Sequence, residues 1–230
     1  MSLDGLREEV LAANLALPAH GLVKLTWGNV SGIDRARGVV AIKASGVDYD
    51  TMTTDDLVLV DVESGEVVEG DRRPSTDTPT HLGLYRAWSD VGGVVHTHST
   101  WATAWAQAER EIPVLGTTHA DLTTDTIPIT RSLTAEEVDR DYEGATGEAL
   151  IELIGDRAHD LPCALVRGHG PFGWAADPAT AVQIAVTLEE VAKLALLTTM
   201  LERDAGPLDP ILQRKHYDRK HGPGAYYGQG

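Results

Sequence analysis

Apolar residues recur at Leu6, Val10, Ala13 and Leu17, a spacing that lays one face of a helix over residues 3–17, with Pro18 helping to end it. LTWGNVSG (25–32) reads as a turn rich in Gly, Asn and Ser, and VVAIKASG (39–46) as a strand running into a second Gly-Ser turn. LVLVDVESGEVVEG (57–70) reads as a hairpin about Ser64-Gly65. Thr78-Pro79 predicts an N-cap and first helical residue for a helix to about Ser89. GGVVHTH (92–98) predicts a strand, STWATAWAQA (99–108) a helix capped by Ser99 or Thr100, and Thr134 with Glu137 the capping box of a helix within 133–155. CALVRGHGPFGW (163–174) reads as strand, turn, strand; the longest helix is expected over 178–203; the tail from Lys215 is basic and Gly-rich, with Tyr226-Tyr227. Helices interleave with strands that are often hairpin-linked. That order predicts an α/β single domain over 1–230, with a mixed or antiparallel sheet between helix layers.

The strand at Val94-Val95 runs directly into His96-Thr97-His98. Residues two apart on a strand share a face, so the two imidazoles should project together, an arrangement that suits a divalent metal. A His-x-His pair is not specific by itself. His169, between glycines at the end of the strand CALV, is a further candidate ligand, although a surface turn histidine would look the same. Asp77 is another, with helix capping as its ordinary role; His81, one turn on, is a reserve. Three histidines and one carboxylate without cysteine are typical of a catalytic rather than a structural metal.

The turns 26–32 and 43–46 offer free backbone amides and hydroxyls that can make an anion-binding concavity. Ser75 and Thr76 add hydroxyls near the start of the Pro79 helix. Lys43 interrupts an otherwise apolar strand, for which an exposed edge position is the ordinary explanation. Asp121 and Tyr227 are candidate acid–base groups with no local mark. Trp27, Trp88, Trp101, Trp105 and Trp174 are expected in the core.

Hydrophobic residues make up 42% of the 230, enough for a sizeable core. The formal net charge of −16 argues against a nucleic-acid partner, though not against a phosphorylated small molecule in a locally positive pocket. Cys163 is the only cysteine, so neither an intrachain disulfide nor a cysteine-based zinc finger can form. Neither a signal peptide nor a membrane-spanning run is evident, so a cytoplasmic protein without membrane partners is expected.

LTWGNVSG, IKASGVDY, RPSTDTPTH, VVHTHS, GTTHAD, HGPFGW, LEEVA and KHYDRKHG…AYYGQ, in this order, resemble the L-ribulose-5-phosphate 4-epimerases of the class II sugar-phosphate aldolase family. The resemblance spans nearly the whole chain. It implies a central, largely antiparallel sheet between helix layers, and a homotetramer with interface active sites to which the tail 215–230 contributes. It implies one divalent ion per subunit, zinc first, with manganese or cobalt as alternatives. The family's metal ligands fall on Asp77, His96, His98 and His169, and its phosphate-binding positions on Gly28, Asn29, Lys43, Ser45, Gly46, Ser75 and Thr76. Its proton-transfer pair falls on Asp121 and Tyr227, from two neighbouring subunits, and further active-site positions on Thr117 and His216. The implied reaction interconverts L-ribulose 5-phosphate and D-xylulose 5-phosphate, in pentose catabolism with arabinose as the implied source. The related fuculose-phosphate-type aldolases carry Glu where Asp77 stands. Thr76 in place of Ser, Ala44 in place of Pro, and Arg167-Gly168 in place of His-Ser depart from the family pattern without removing a functional group. A lyase that releases its two fragments is the alternative activity, and a non-catalytic metal-dependent binding protein the alternative class.

Overall fold

A computed structural model describes residues 2–227; the last three residues of the predicted tail, 228–230, lie outside the described residues. Seven strands form one sheet: β1 (Asn29–Asp34), β2 (Val39–Lys43), β3 (Leu57–Asp61), β4 (Val67–Glu69), β5 (Gly93–His96), β6 (Cys163–Val166) and β7 (Gly170–Ala175). Their order is β4-β3-β2-β1-β5-β7-β6, and every neighbouring pair is antiparallel. The helices are α1 (Leu3–Ala19), α2 (Thr78–Ala87), α3 (Thr100–Gln107), α4 (Thr117–Ala120), α5 (Ala135–Ile154), α6 (Pro178–Leu201) and α7 (Pro210–His221). None is long and apolar enough to cross a membrane among the described residues.

The two faces of β1 explain the layering. On one face there is no side chain at Gly32, where a Cβ would press on Pro178, Val10 and Leu6. α1 and α6 therefore approach this face closely. On the other, Ser31 Oγ lies 2.7 Å from His81 Nδ1 and 2.8 Å from the Tyr85 hydroxyl, tying down α2. α5 packs on α2, where Gly147 abuts the Thr80 backbone and Thr80 Oγ1 donates to the Glu143 carbonyl at 2.6 Å. α3 sits beside α6: Glu189 accepts from the amides of Trp101 and Ala102, both at 2.9 Å, capping a helix that Ser99 does not cap with its side chain.

Several elements differ from the sequence expectation. The stretch read as a turn, 25–32, delivers β1, all six of whose residues are buried, so no polar/apolar alternation announces it. Asp77, not Thr78, occupies the N-cap of α2, which stops at Ala87 because Trp88 is extended. α6 ends at Leu201, two residues short. α7 begins before the tail from Lys215 and runs into it, and the sequence predicts no element there; no residue of it is buried, so it has no apolar stripe to read. Lys43 lies on β2, an interior strand, and is 2% exposed, which removes the edge explanation. Cys163 is fully buried, and burial pushes its thiol up to about 12.

Asn14 of α1 completes the hydrogen bonding of β1 next to Asn29. Its Nδ2 donates to the Val30 carbonyl at 2.9 Å, and its Oδ1 accepts from the Val30 amide at 3.0 Å. Asn14→Leu strands both backbone groups in the core. It is expected to lower unfolding stability by about 2–4 kcal/mol, read from the urea midpoint at unchanged m-value.

Candidate functional site

His96 is the last residue of β5. Its ring stacks on Phe172 of the neighbouring β7, centroids 4.2 Å apart, and its Nδ1 lies 3.0 Å from the Pro171 carbonyl oxygen. A carbonyl only accepts, so Nδ1 carries the proton and Nε2 keeps its lone pair for a ligand. His98 follows just beyond the strand. His169 comes from the β6–β7 turn, which Gly168 closes at a φ of +70°. The His98 and His169 Nε2 atoms face each other at 3.1 Å, and the three ring centroids are 4.7–4.9 Å apart. One nitrogen from each histidine lies within 4.8 Å of the others.

Three convergent imidazole nitrogens fit a divalent transition-series ion, zinc or cobalt before the harder manganese. Burial drives the His169 basicity down to about 4, with His96 and His98 adding to it; burial also lowers that of His98, again helped by His96. Neutral imidazoles are the form that ligates.

Asp77 faces the same cavity but stands outside the histidine trio. Although it holds the N-cap position, its carboxylate caps nothing. Instead Oδ2 accepts from Asn29 Nδ2 at 2.6 Å, with Ser75 Oγ at 3.4 Å. Burial opposes its charge, but His96, His81 and the Asn29 bond outweigh that and hold the carboxyl below the usual range. The reserve ligand His81 is not in the trio. It is fully buried, its Nδ1 is engaged by Ser31, and burial depresses its basicity to about 3.

The trio and Asp77 open into a cavity of about 580 Å³ that is also lined by every predicted phosphate-binding position: Gly28, Asn29, Lys43, Ser45, Gly46, Ser75 and Thr76. Gly28 adopts a φ of +78°, and a Cβ there would stand 2.9 Å from the His96 carbonyl, so only glycine lets this loop lie against β5. Gly46 has a φ of +73°. The Lys43 ammonium has only long hydrogen bonds among the described residues, to the carbonyls of Thr26 at 3.3 Å and Ala44 at 3.4 Å, and it lies 5.0 Å from the Tyr49 ring centroid. Burial lowers its basicity, against the pull of Asp56 and Asp48. A buried cation without a carboxylate partner leaves its charge uncompensated, at a cost in desolvation.

Five further residues line the cavity that the sequence does not single out as site residues: Thr26, Trp27, Ala44, Tyr142 and Glu143. Trp27, expected in the core, is 52% exposed and its ring lies 6.3 Å from that of His98. Trp101 is half-buried, whereas Trp88, Trp105 and Trp174 are core residues as expected. Tyr142 sits inside a continuous helical pattern, which gives no sign that it faces a ligand.

Asp121, Thr117, His216 and Tyr227 do not line this cavity. They gather where α7 packs on α4. Asp121 accepts from Arg219 Nε at 3.0 Å and Nη2 at 2.6 Å, and lies 3.1 Å from His216 Nδ1. Burial raises the Asp121 carboxyl, but the Arg219 and His216 bonds outweigh it and hold it low. The Tyr227 ring carries the Arg219 guanidinium and the Lys220 ammonium, each 4.7 Å from its centroid. Thr117 opens α4 and its carbonyl accepts from the Asp121 amide at 2.9 Å.

His98→Ala removes one nitrogen of the trio while leaving the strands intact. The variant is expected to lose stoichiometric zinc on gel filtration, with metal content measured by mass spectrometry and an unchanged far-ultraviolet circular dichroism spectrum.

Three solved structures place the fold among known proteins. An L-fuculose 1-phosphate aldolase superposes with a TM-score of 0.80 at 24% identity, over 95% of this chain and 97% of its own. The L-fuculose-1-phosphate aldolase from Thermus thermophilus gives 0.67 at 26% identity, over 88% and 99%. That from Glaciozyma antarctica gives 0.75 at 20% identity, over 94% and 81%. The family described as "Class II Aldolase and Adducin N-terminal domain" matches residues 8–196. With that match over most of its length and the shared antiparallel-sheet fold, the chain belongs to the class II aldolase and adducin N-terminal domain family.

Proposed function

We propose that this chain is a metal-dependent epimerase that interconverts L-ribulose 5-phosphate and D-xylulose 5-phosphate. The observation that carries the reading is one cavity lined by both the histidine trio and the buried, carboxylate-free Lys43 with its Gly and Ser turns. A sugar phosphate has the two ends such a cavity suits: a polyhydroxy ketone and a dianion. The C4 carbon carries no C–H acidified by an adjacent carbonyl, so direct deprotonation there is unfavourable. Cleaving C3–C4 with loss of the C4 hydroxyl proton gives the enediolate of dihydroxyacetone and glycolaldehyde phosphate. Bond formation at the other face of the aldehyde, with a proton returned to its oxygen, inverts C4.

A divalent ion held by His96, His98, His169 and Asp77, zinc before manganese or cobalt, would supply Lewis acidity toward the ketone oxygen. Lys43, with the turn amides of Gly28 and Gly46 and the hydroxyls of Ser45, Ser75 and Thr76, holds the phosphate, so the aldehyde stays while it turns over. Asn29 keeps the Asp77 carboxylate in place. Tyr227 and Asp121 serve as the proton-transfer pair, with Thr117 and His216 beside them. Because that cluster does not line its own chain's cavity, a neighbouring copy in a homotetramer would bring it there, with the tail 215–230 as part of the one domain. The exposed apolar Leu194, Leu197, Met200 and Leu201 on α6, with Ile211 on α7, support a buried face in such an assembly. The pathway proposed is a cytoplasmic pentose catabolism.

A lyase is the second reading, favoured by the fuculose-phosphate aldolases among the similar structures. Asp77, where the fuculose-type aldolases carry Glu, and the Tyr226-Tyr227 tail favour the epimerase. A ¹³C NMR time course with the zinc-loaded protein separates them. The epimerase yields D-xylulose 5-phosphate, with no turnover in chelator; the lyase accumulates dihydroxyacetone and glycolaldehyde phosphate. In the same assay Lys43→Met is expected to raise KM about tenfold or more with a smaller change in kcat; an unchanged KM removes Lys43 from phosphate binding. Tyr227→Phe is expected to bind zinc normally and lower kcat by about 10²–10⁴-fold; an unchanged kcat removes it from proton transfer.

A further inference from the structure

The three histidines are not secured equally. His96 stacks on Phe172 and is fixed through Nδ1 by the Pro171 carbonyl. His169 stands between Gly168 and Gly170 in the β6–β7 turn. Apart from His98, the hydrogen-bond partner of its ring is Tyr142, whose hydroxyl lies 3.0 Å from His169 Nδ1. We infer that Tyr142 is a positioning residue: its hydroxyl oxygen accepts from His169 Nδ1–H and so sets both the tautomer and the ring orientation of the third metal ligand.

The local structure is arranged around that contact. α5 is not one regular helix, because Asp141 breaks it with φ −168° and ψ 86°. The Asp141 carboxylate accepts from the Gly144 amide at 3.0 Å, which caps a fresh helical start at Tyr142. The next residue, Glu143, has its carbonyl held by Thr80 Oγ1 at 2.6 Å, on the same helix that Asp77 begins. Gly147 lets the two helix backbones meet closely at Thr80. The kink, the cap and the cross-helix bond thus deliver one hydroxyl to the Nδ1 of a histidine that has no backbone tether for its ring among the described residues. A ligating histidine normally donates its other N–H to an outer acceptor, commonly a carboxylate, a backbone carbonyl or water; here the Tyr142 hydroxyl takes that place, and loss of an outer acceptor typically weakens metal binding by about 10–100-fold.

The inference rests on the proposed metal site, so the test reads zinc affinity rather than turnover. Apoprotein is titrated with zinc against a chromophoric chelator. Tyr142→Phe is expected to bind about 10–100-fold more weakly than the unsubstituted protein, with the urea midpoint of the apoprotein unchanged. In a His169→Ala background the same substitution is expected to change zinc affinity no further. The cobalt-loaded protein should also show an altered d–d absorption envelope in Tyr142→Phe, a signature that a change in packing elsewhere leaves alone. Equal affinity for Tyr142→Phe and the unsubstituted protein, or an equal loss in both backgrounds, overturns the positioning role while leaving the metal site standing. Failure of the unsubstituted apoprotein to bind zinc overturns the metal reading itself and this inference with it.

Discussion

The register of three adjacent strands governs the site. Asn29 on β1 pairs with His96 on β5, and His96 pairs with Phe172 on β7. Side chains directly opposite one another in neighbouring strands share a face. That single row therefore sets the Asn29 amide, which holds Asp77, beside His96, which stacks on Phe172. A slip of one residue in either ladder would turn His96 to the opposite face of the sheet, away from the Asn29 and Phe172 side chains. Everything else at the site is added to this row: His98 as the chain leaves β5, His169 as it enters β7, and Lys43 at the end of β2.

Holding this row in the interior costs stability, and the surroundings show where it is offset. Ser31, His81 and Tyr85 form a buried hydrogen-bonded chain beneath the trio, and Asn14 satisfies the Val30 backbone beside Asn29. Some groups stay unsatisfied. Asn29 Oδ1 and His81 Nε2 are buried without partners among the described residues, and Lys43 has only two long hydrogen bonds there. Unpaired polar groups of this kind cost roughly 1–3 kcal/mol each in a protein interior. Of these groups Asn29 and Lys43 line the cavity, where a ligand could complete their bonding, whereas His81 Nε2, like Thr103 Oγ1 and His119 Nδ1, is unpartnered among the described residues away from its lining.

Much of this was legible in the chain because the chemistry violates the pattern of its surroundings. A lysine in VVAIK and two imidazoles at the end of GGVVHTH stand out against apolar strands, and a histidine between glycines stands out in RGHGP. Residues that obey the local pattern stayed hidden. Ser31 and Gly32 of β1 read as part of a turn, because a strand buried on both faces that carries Asn, Ser and Gly shows no alternation and only Val30 and Ile33 as β-branched residues. Tyr142 looked like any aromatic residue on a helix, since Asp141 breaks that helix through backbone dihedrals that composition does not encode. α7 was hidden for the opposite reason: its charged residues show no apolar face, and it is held instead by Asp209 at its start and by the Arg219–Asp121 pair. Trp27 was misplaced because an aromatic residue is ordinarily buried, and here it lies open beside His98.

The second cluster differs from the first in how its charges are balanced. Around the trio the carboxylate is secured by neutral donors, Asn29 and Ser75, which leaves its charge available to a cation. Around Asp121 the carboxylate is already neutralised by a two-point Arg219 bond, with His216 at hydrogen-bond distance and Lys220 at 3.9 Å. Asp121 thus anchors α7 to α4 before any ligand arrives, and the surplus positive charge passes outward to Lys220 and the Tyr227 ring. On a chain with a formal charge of −16, that is a local reversal of sign on an exposed surface. A prebuilt, positively charged cluster presented outward complements a cavity that holds its own carboxylate inward. In the proposed assembly each copy would supply what the other's cavity lacks, so the same Arg219–Asp121 pair that stabilises α7 would also fix the distance at which Tyr227 meets the substrate.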